Sequence, residues 1–408
     1  MASPVITIDK VDSLHPDIVH ISIDNLEPSK LYRLDLRQAH RFMEPIMACY
    51  YIQKFLKTVS GADPMGLFYS VLPAHDFDYG SIVVVDTREP FRYKLQLADC
   101  IGTVLDEKTI CKRWMHPHME RMEMENVGFR GTLYKPPGDG PFPSIIEIPG
   151  ADGGLVEHMG SLLASQGFVV LCIAYYGYKD LPKAIHDVEV EYFKKPIDYL
   201  LNLPYTTQSL GIHGRCFGAA LAALLSTQYP VVSSVCMVNG PQALVAPTLL
   251  LKEGGVPIKA EIILPEHIRF LNRNILVSVD SIKDMSTRLT PETEFQSHRV
   301  PKSTKFRIVS SMDDMCMPTI HSGIRMKSQL EKTGHQVEME LVNGGHIIQP
   351  PYFPHLSFCY AKFQKAHTGF GGIAVQHGKM QEQVFRNTLE YFKKTLGQSD
   401  MEEERARI

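Results

Sequence analysis

No block or stripe of basic residues runs through this chain. Lys and Arg number 42 against 45 Asp and Glu, which leaves a net charge of −3 with His neutral. Without an electrostatic footprint, no nucleic-acid binding is expected. No uninterrupted apolar run reaches bilayer-spanning length, and the stretch from Met1 to Lys10 has neither a basic segment leading into an apolar one nor an amphipathic Arg-rich pattern. The expectation is an unsecreted protein with no membrane span.

Cysteine is present but forms no framework. Cys49, Cys100, Cys111, Cys172, Cys216, Cys236, Cys316 and Cys359 are scattered with no CxxC pair, which argues against a disulfide scaffold and for reduced thiols inside a cell. Cys111, His116 and His118 lie close together, yet nothing supplies the second half of a zinc site, so no metal is expected and the stretch reads as an interdomain linker. A Walker lysine and a GxGxxG spacing are also missing, and no nucleotide or other cofactor is expected. There is no internal repeat. The only low-complexity stretch is the charged tail, 399–408.

What is present is an ordinary globular composition, 44% hydrophobic and 21% charged, in a chain of 408 residues. That length exceeds what one hydrophobic core usually supports, so two domains are expected. Residues 1–127 read as β-rich. Period-two alternation recurs at Ile18 to Ile23, Tyr32 to Leu36 and Tyr93 to Leu97, the pattern of short sandwich strands between polar turns. Residues 128–398 read as an α/β domain with a mostly parallel sheet. Continuous apolar strands are expected at Phe129 to Tyr134, Ser144 to Ile148, Phe168 to Ala174, Ser209 to His213, Val232 to Val238, Phe306 to Ser310 and Val337 to Val342. Helices are expected between them at Leu155 to Gln166, His186 to Leu201, Ala219 to Leu225 and Thr319 to Lys332. The segment from Gly240 to about Pro301 has no clean period and reads as an excursion between two sheet strands.

Chemistry concentrates where the Ser209 to His213 strand enters Gly214-Arg215-Cys216-Phe217-Gly218 and an Ala/Leu-rich helix. A nucleophile on a sharp strand-to-helix turn needs small residues two before and two after it, because backbone segments close in tightly there. The helix N-terminus and a nearby histidine would favour the reactive thiolate of Cys216. Arg215 reads equally as added positive charge or as a solvated side chain. In chain order an acid and a histidine follow at later strand ends: Phe306 to Ser310 runs into Asp313-Asp314, and Val337 to Val342 into Gly344-Gly345-His346. That order, nucleophile, acid, histidine, is the one α/β-hydrolases use. Phe217 and Ala151, the latter in the Gly-rich turn after Ser144 to Ile148, are the candidate backbone donors of an oxyanion hole.

Longer motifs carry a family resemblance over nearly the whole chain. They are Asp63 to Phe68, Arg130 to Tyr134, Gly140 to Pro143, Gly153-Gly154-Leu155 with Glu157, Ala174 to Pro182, Glu191-Tyr192-Phe193 and, most specific, Gly345-His346-Ile347-Ile348-Gln349-Pro350-Pro351-Tyr352-Phe353-Pro354. With these the chain resembles the acyl-CoA thioesterase and bile acid-CoA:amino acid N-acyltransferase family. The resemblance implies an immunoglobulin-like β-sandwich followed by an α/β-hydrolase domain, with Cys216 as nucleophile, Asp314 as acid and His346 as base. It also implies an acyl-coenzyme A substrate and a possible amino acid acceptor. The chain departs from the family pattern at the elbow sequence itself, at Gln349 where Glu is common, and in the shorter glycine run of the Gly150 to Gly154 loop.

Three readings follow. The first is a thioesterase in which water resolves an acyl-enzyme, the second an N-acyltransferase delivering the acyl group to glycine or taurine through the same residues, and the third a catalytically silent lipid-binding protein. Oligomeric state and acyl-chain length are open. Ala406-Arg407-Ile408 has the small-basic-aliphatic form of a peroxisomal signal, so the location is expected to be cytoplasmic or peroxisomal.

Overall fold

A computed structural model of the chain describes residues 2–40, 43–53, 63–73, 86–246, 251–262, 264–271, 274–283 and 289–397. The charged tail 399–408, with Ala406-Arg407-Ile408, lies outside the described residues.

The chain is an α/β protein preceded by a β-rich unit. In that unit, Phe91–Asp99, Leu31–His40 and Val104–Arg113 form the centre of a six-stranded sheet, and Val5–Ile8 pairs with Ile21–Asp24 in a second, two-stranded one. Alternation sets the pairing. Along Phe91–Asp99 the residues Phe91, Tyr93, Leu95 and Leu97 are buried while Arg92 and Lys94 face out, so a one-residue slip would drive charges into the core.

The larger sheet has eight strands: β1 (Glu120–Met124), β2 (Arg130–Lys135), β3 (Phe142–Ile148), β4 (Val169–Ala174), β5 (Thr206–Arg215), β6 (Val232–Val238), β7 (Lys305–Ser311) and β8 (Val337–Val342). Their order across the sheet is β8-β7-β6-β5-β3-β4-β2-β1. All neighbours are parallel except β2, which runs antiparallel to both β4 and β1. The sheet thus takes its first strand from ahead of Gly128, where the sequence changes texture. Every residue of β3 and β4 is buried, as expected for strands covered on both faces.

Helices Lys194–Leu201, Phe217–Gln228 and Thr319–Lys332 share one buried cluster with Ile146, Ile148 and Leu171. On the opposite face, His158–Ala164 and the long helix Ala374–Leu396 share another with Ile145, Val170 and Val309. This second cluster continues without a break into Leu36, Leu95 and Trp114 of the β-rich unit. The two units are therefore joined by a common core.

The expected helix from His186 to Leu201 is shorter. Two 3-10 turns, Ile185–Asp187 and Val190–Phe193, precede a helix that begins only at Lys194. Pro196 explains the start, because proline is tolerated in a first turn but not in a helix interior. Helix Leu155 to Gln166 likewise contracts to His158–Ala164. The excursion after Gly240 consists, in its described parts, of short strands, 3-10 turns and a short helix, Val279–Lys283. One of the strands, Ile275–Val277, pairs with Ala366–Gly369 in a separate four-stranded sheet.

Candidate active site

Cys216 occupies the turn between β5 and helix Phe217–Gln228 with φ +55 and ψ −123. Non-glycine residues rarely take a positive φ, and such strain persists only when the surroundings over-determine it. Here they do. The Cys216 N–H donates to the Val238 carbonyl at 2.8 Å, a Cβ on Gly214 would collide with the Gly218 carbonyl, and one on Gly218 would lie 2.6 Å from the Pro149 oxygen. Glycines are needed on both sides because backbone fills the space. The thiol is half-buried at the head of the helix, while the other described cysteines are also unbridged.

Asp314 and His346 are brought together. His346 Nδ1 donates to Asp314 Oδ2 at 2.7 Å, both side chains almost fully buried. The second carboxylate oxygen, Oδ1, accepts the backbone N–H groups of Cys316 and Met317 at 2.8 Å each, which locks the acid's rotamer. Burial alone would strip the proton from His346. The Asp314 carboxylate outweighs it and, with Cys316 and Cys216 adding to the effect, raises the imidazole's proton affinity well above its ordinary value. Asp313 turns elsewhere, accepting the Gly372 N–H at 2.8 Å.

The loop after β3 passes directly over the thiol: a Cβ on Gly150 would sit 3.2 Å from Cys216 Cβ and 3.7 Å from its Sγ. Tyr175 donates its hydroxyl to the Gly150 carbonyl at 2.9 Å, and Tyr176 to that of Ala151. In a trans peptide the N–H opposes the C=O, so Tyr175 turns the Ala151 N–H away from itself. That N–H has no acceptor among the described residues. Phe217 opens its helix, so its N–H is one of those that helix geometry leaves unpaired.

Two features were not legible in the sequence. Asn239, with φ +49, donates from Nδ2 to the His346 carbonyl at 2.8 Å and to Ser311 Oγ at 2.9 Å, while its Oδ1 accepts the Ser311 N–H at 2.8 Å. It ties the ends of β6 and β7 to the histidine loop; its place just past a strand end was the available signal. Arg215 is neither solvated nor free. Its Nε donates to Glu147 Oε1 at 3.1 Å and its Nη1 to Gln349 Oε1 at 3.2 Å. The fully buried Glu147 carboxylate also holds His213, and Gln349 Oε1 accepts from His158 Nε2 at 2.6 Å. Burial works against a charge on His213, but Glu147 reverses the balance and pushes its pKa up to about 10.

The β-rich unit grips the segment after His346. His15, stacked on Trp114 at 4.0 Å, donates from Nδ1 to the Pro351 carbonyl at 2.7 Å, and Phe353 packs against Phe91 and Trp114. From the excursion, Ser278 Oγ donates to the Cys316 carbonyl at 2.9 Å, beside the acid. Among the described residues, no helix is long and apolar enough to cross a membrane.

Residues 188–398 match the family model described as BAAT / Acyl-CoA thioester hydrolase C terminal, and residues 58–126 the one described as Acyl-CoA thioester hydrolase/BAAT N-terminal region. Among curated proteins, acyl-coenzyme A thioesterase 1 of Rattus norvegicus is 28% identical across 83% of this chain and 80% of its own length. Acyl-coenzyme A amino acid N-acyltransferase 1 of Mus musculus is 30% identical across 83% of this chain and 82% of its own. Among solved structures, the Pyrococcus horikoshii acylaminoacyl peptidase is 14% identical with a TM-score of 0.43, covering 77% of this chain and 49% of that one.

Proposed function

The chain belongs to the acyl-CoA thioester hydrolase/BAAT family, and from that premise we propose that it is an acyl-CoA thioesterase working through Cys216, His346 and Asp314. The observation that carries this reading is one arrangement. A thiol stands on a strained elbow at a helix head, and a buried histidine–carboxylate pair sits at the ends of β7 and β8.

In the first half-reaction Cys216 Sγ attacks the thioester carbonyl carbon. Its proton rests on His346 Nε2, whose Nδ1 is committed to Asp314, and the raised proton affinity of that imidazole favours the thiolate. The tetrahedral oxyanion is met by the N–H groups of Phe217 and Ala151. Collapse breaks the C–S bond to coenzyme A, whose sulfur takes the proton from His346, and the acyl group is left on Cys216. In the second half, water gives His346 a proton as its oxygen joins the carbonyl carbon, and Cys216 departs as thiolate with the free acid released.

A second reading keeps the first half and replaces water by an amino acid amine. The thiol at position 216 favours it, since a thioester acyl-enzyme is close in energy to the acyl-CoA and is attacked well by amines. Both readings predict a covalent acyl adduct on Cys216 when the protein is mixed with a long-chain acyl-CoA, quenched in acid and examined by mass spectrometry. No adduct and no turnover would leave the silent lipid-binding protein. Product analysis with saturating glycine or taurine separates the two enzymes: N-acyl conjugate is expected at least as a side product, and free acid alone would remove the transferase.

A further inference from the structure

Hydrogen bonds of the loop that carries His346 converge on a second histidine. The Gly345 N–H donates to His377 Nδ1 at 3.1 Å, and His377 Nε2 donates to the Ile347 carbonyl at 3.1 Å. One imidazole therefore bridges the residue before His346 and the residue after it. An amide N–H can only donate and a carbonyl can only accept, so the two bonds together select the neutral tautomer with its proton on Nε2. Burial, and then the neighbouring His355, push the pKa of His377 down to about 3, so the ring stays neutral at any working pH.

The ring is itself held firmly. His377 is 1% exposed and lies in the first turn of helix Ala374–Leu396, with its own N–H donating to the Ile373 carbonyl at 2.8 Å. Its face stacks on His355 with 4.1 Å between centroids. The glycine pair ahead of His346 fits this contact: a Cβ on Gly344 would come within 3.2 Å of His377 Nδ1, and one on Gly345 would strike the carbonyls of Phe370 and Gly371. The His346 N–H meanwhile donates to the Phe370 carbonyl at 2.7 Å.

We propose that His377 is a positioning residue, a neutral imidazole clamp that fixes the backbone on both sides of His346 and so aims its ring at Cys216. The inference rests on the reading of His346 as the base. Asp314 controls rotation of the His346 ring through Nδ1, while the clamp controls where the Cα of His346 stands. Without it the loop can shift while the acid–base pair stays bonded.

The test uses the full chain and His377→Phe, which keeps an aromatic ring but loses both bonds. A second variant, His377→Gln, has an amide that can accept at one atom and donate at the other. Turnover of a long-chain acyl-CoA is measured per alkylatable Cys216, alongside thermal unfolding, with His346→Ala as control. A misplacement of about 1 Å costs about 10²-fold in rate, so His377→Phe is expected to lose about that factor in kcat with KM unchanged, and His377→Gln to recover most of it. If His377→Phe does not fold, His377→Asn carries the test, because it keeps an acceptor near the Nδ1 position without the reach to Ile347; an intermediate kcat is expected. Wild-type kcat in folded His377→Phe or His377→Asn overturns the clamp, and so does equal damage in His377→Gln and His377→Phe, which would mean that supplying an acceptor and a donor there restores nothing. Full activity in His346→Ala would instead remove the base assignment beneath it.

Discussion

The elbow around Cys216 and the loop around His346 are assigned to the same proposed reaction but are held differently. At the elbow the constraint is backbone against backbone: Gly214 and Gly218 each leave room that a Cβ would fill, and a strand-to-strand hydrogen bond from Cys216 N–H completes it. The histidine loop shares this at Gly345, where a Cβ would strike the carbonyls of Phe370 and Gly371, but it has a second kind of hold. It is suspended by side chains that arrive from elsewhere, namely Asn239 from β6, His377 from the last helix and His15 from the β-rich unit. Steric constraint is cheap to encode locally and intolerant of any added atom, whereas suspension by hydrogen bonds is distributed and yields by degrees.

That contrast orders the expected damage. At the elbow, Gly218→Val forces a side chain into the carbonyls of Ile148 and Pro149, and the expected result is loss of more than about 4 kcal/mol of stability with no soluble active protein. Cys216→Ala adds nothing to the space and should unfold like the wild type with turnover abolished. Near-normal turnover in Cys216→Ala would take the thiol out of the mechanism, and a stable Gly218→Val would take sterics out of the elbow.

The histidine side is expected to lose rate and keep its fold. Asp314→Asn presents an amide to His346 Nδ1 and disturbs the tautomer, for which a loss of about 10³–10⁴-fold in kcat is expected. Asp313→Asn keeps an acceptor for the Gly372 N–H and should stay close to wild type. A reversed ranking in steady-state assays would show that the acid has been placed one residue off. Asn239→Ala removes the bonds to the His346 carbonyl and to Ser311. It should cost about 10–100-fold in kcat and about 2 kcal/mol in urea unfolding, because buried polar groups are left unpaired. A variant that loses stability but keeps kcat per folded molecule would confine Asn239 to a structural role.

The same contrast decides what the sequence could disclose. Glycines two before and two after Cys216 spell the elbow out within a handful of adjacent residues, and the β6 and β8 strands, apolar or alternating and bounded by turn residues, are legible to their ends at Val232–Val238 and Val337–Val342. The holders of His346 are not adjacent to it. His377 lies 32 positions from Gly345 and His15 bonds a residue 336 positions away, and no local period connects either to a strand end. The helix that brings His377, Ala374–Leu396, has a buried face that mixes His377, Gln381 and Thr388 with its apolar residues, which blurs the apolar period. Arg215 was legible as a position but not as a partner, since Glu147 looks like one polar residue within an apolar strand until the fold sets β3 beside β5.

The smallest expected effect lies in the pH dependence of stability, where two buried bases, His213 and Lys112, should pull in opposite directions. Under the elbow, His213 has a carboxylate partner and its pKa is raised to about 10. A group whose folded pKa exceeds its unfolded value, about 6.5 for His, stabilises fully below the unfolded pKa, and that contribution fades as pH rises through about 10. Near the histidine loop, Lys112 is buried with no carboxylate in contact among the described residues. Its Nζ donates to Ser13 Oγ and to the Asp17 carbonyl and lies 5.8 Å from the Tyr352 ring centre. Burial depresses its pKa from 10.5 to about 8. Between those two values the unfolded chain binds the extra proton, so stability from Lys112 rises as pH goes from about 8 towards 10.5. These two contributions should partly offset each other, leaving a net change of about 1 kcal/mol from the pair between pH 7 and 10 by urea unfolding. Lys112→Met removes the rising part and should expose a steeper loss of stability over that range, while His213→Gln removes the falling part and should flatten or invert the curve. Should Lys112→Met instead flatten the profile, the buried ammonium is stabilised by its surroundings, and the proposed difference between the paired and the unpaired base is wrong.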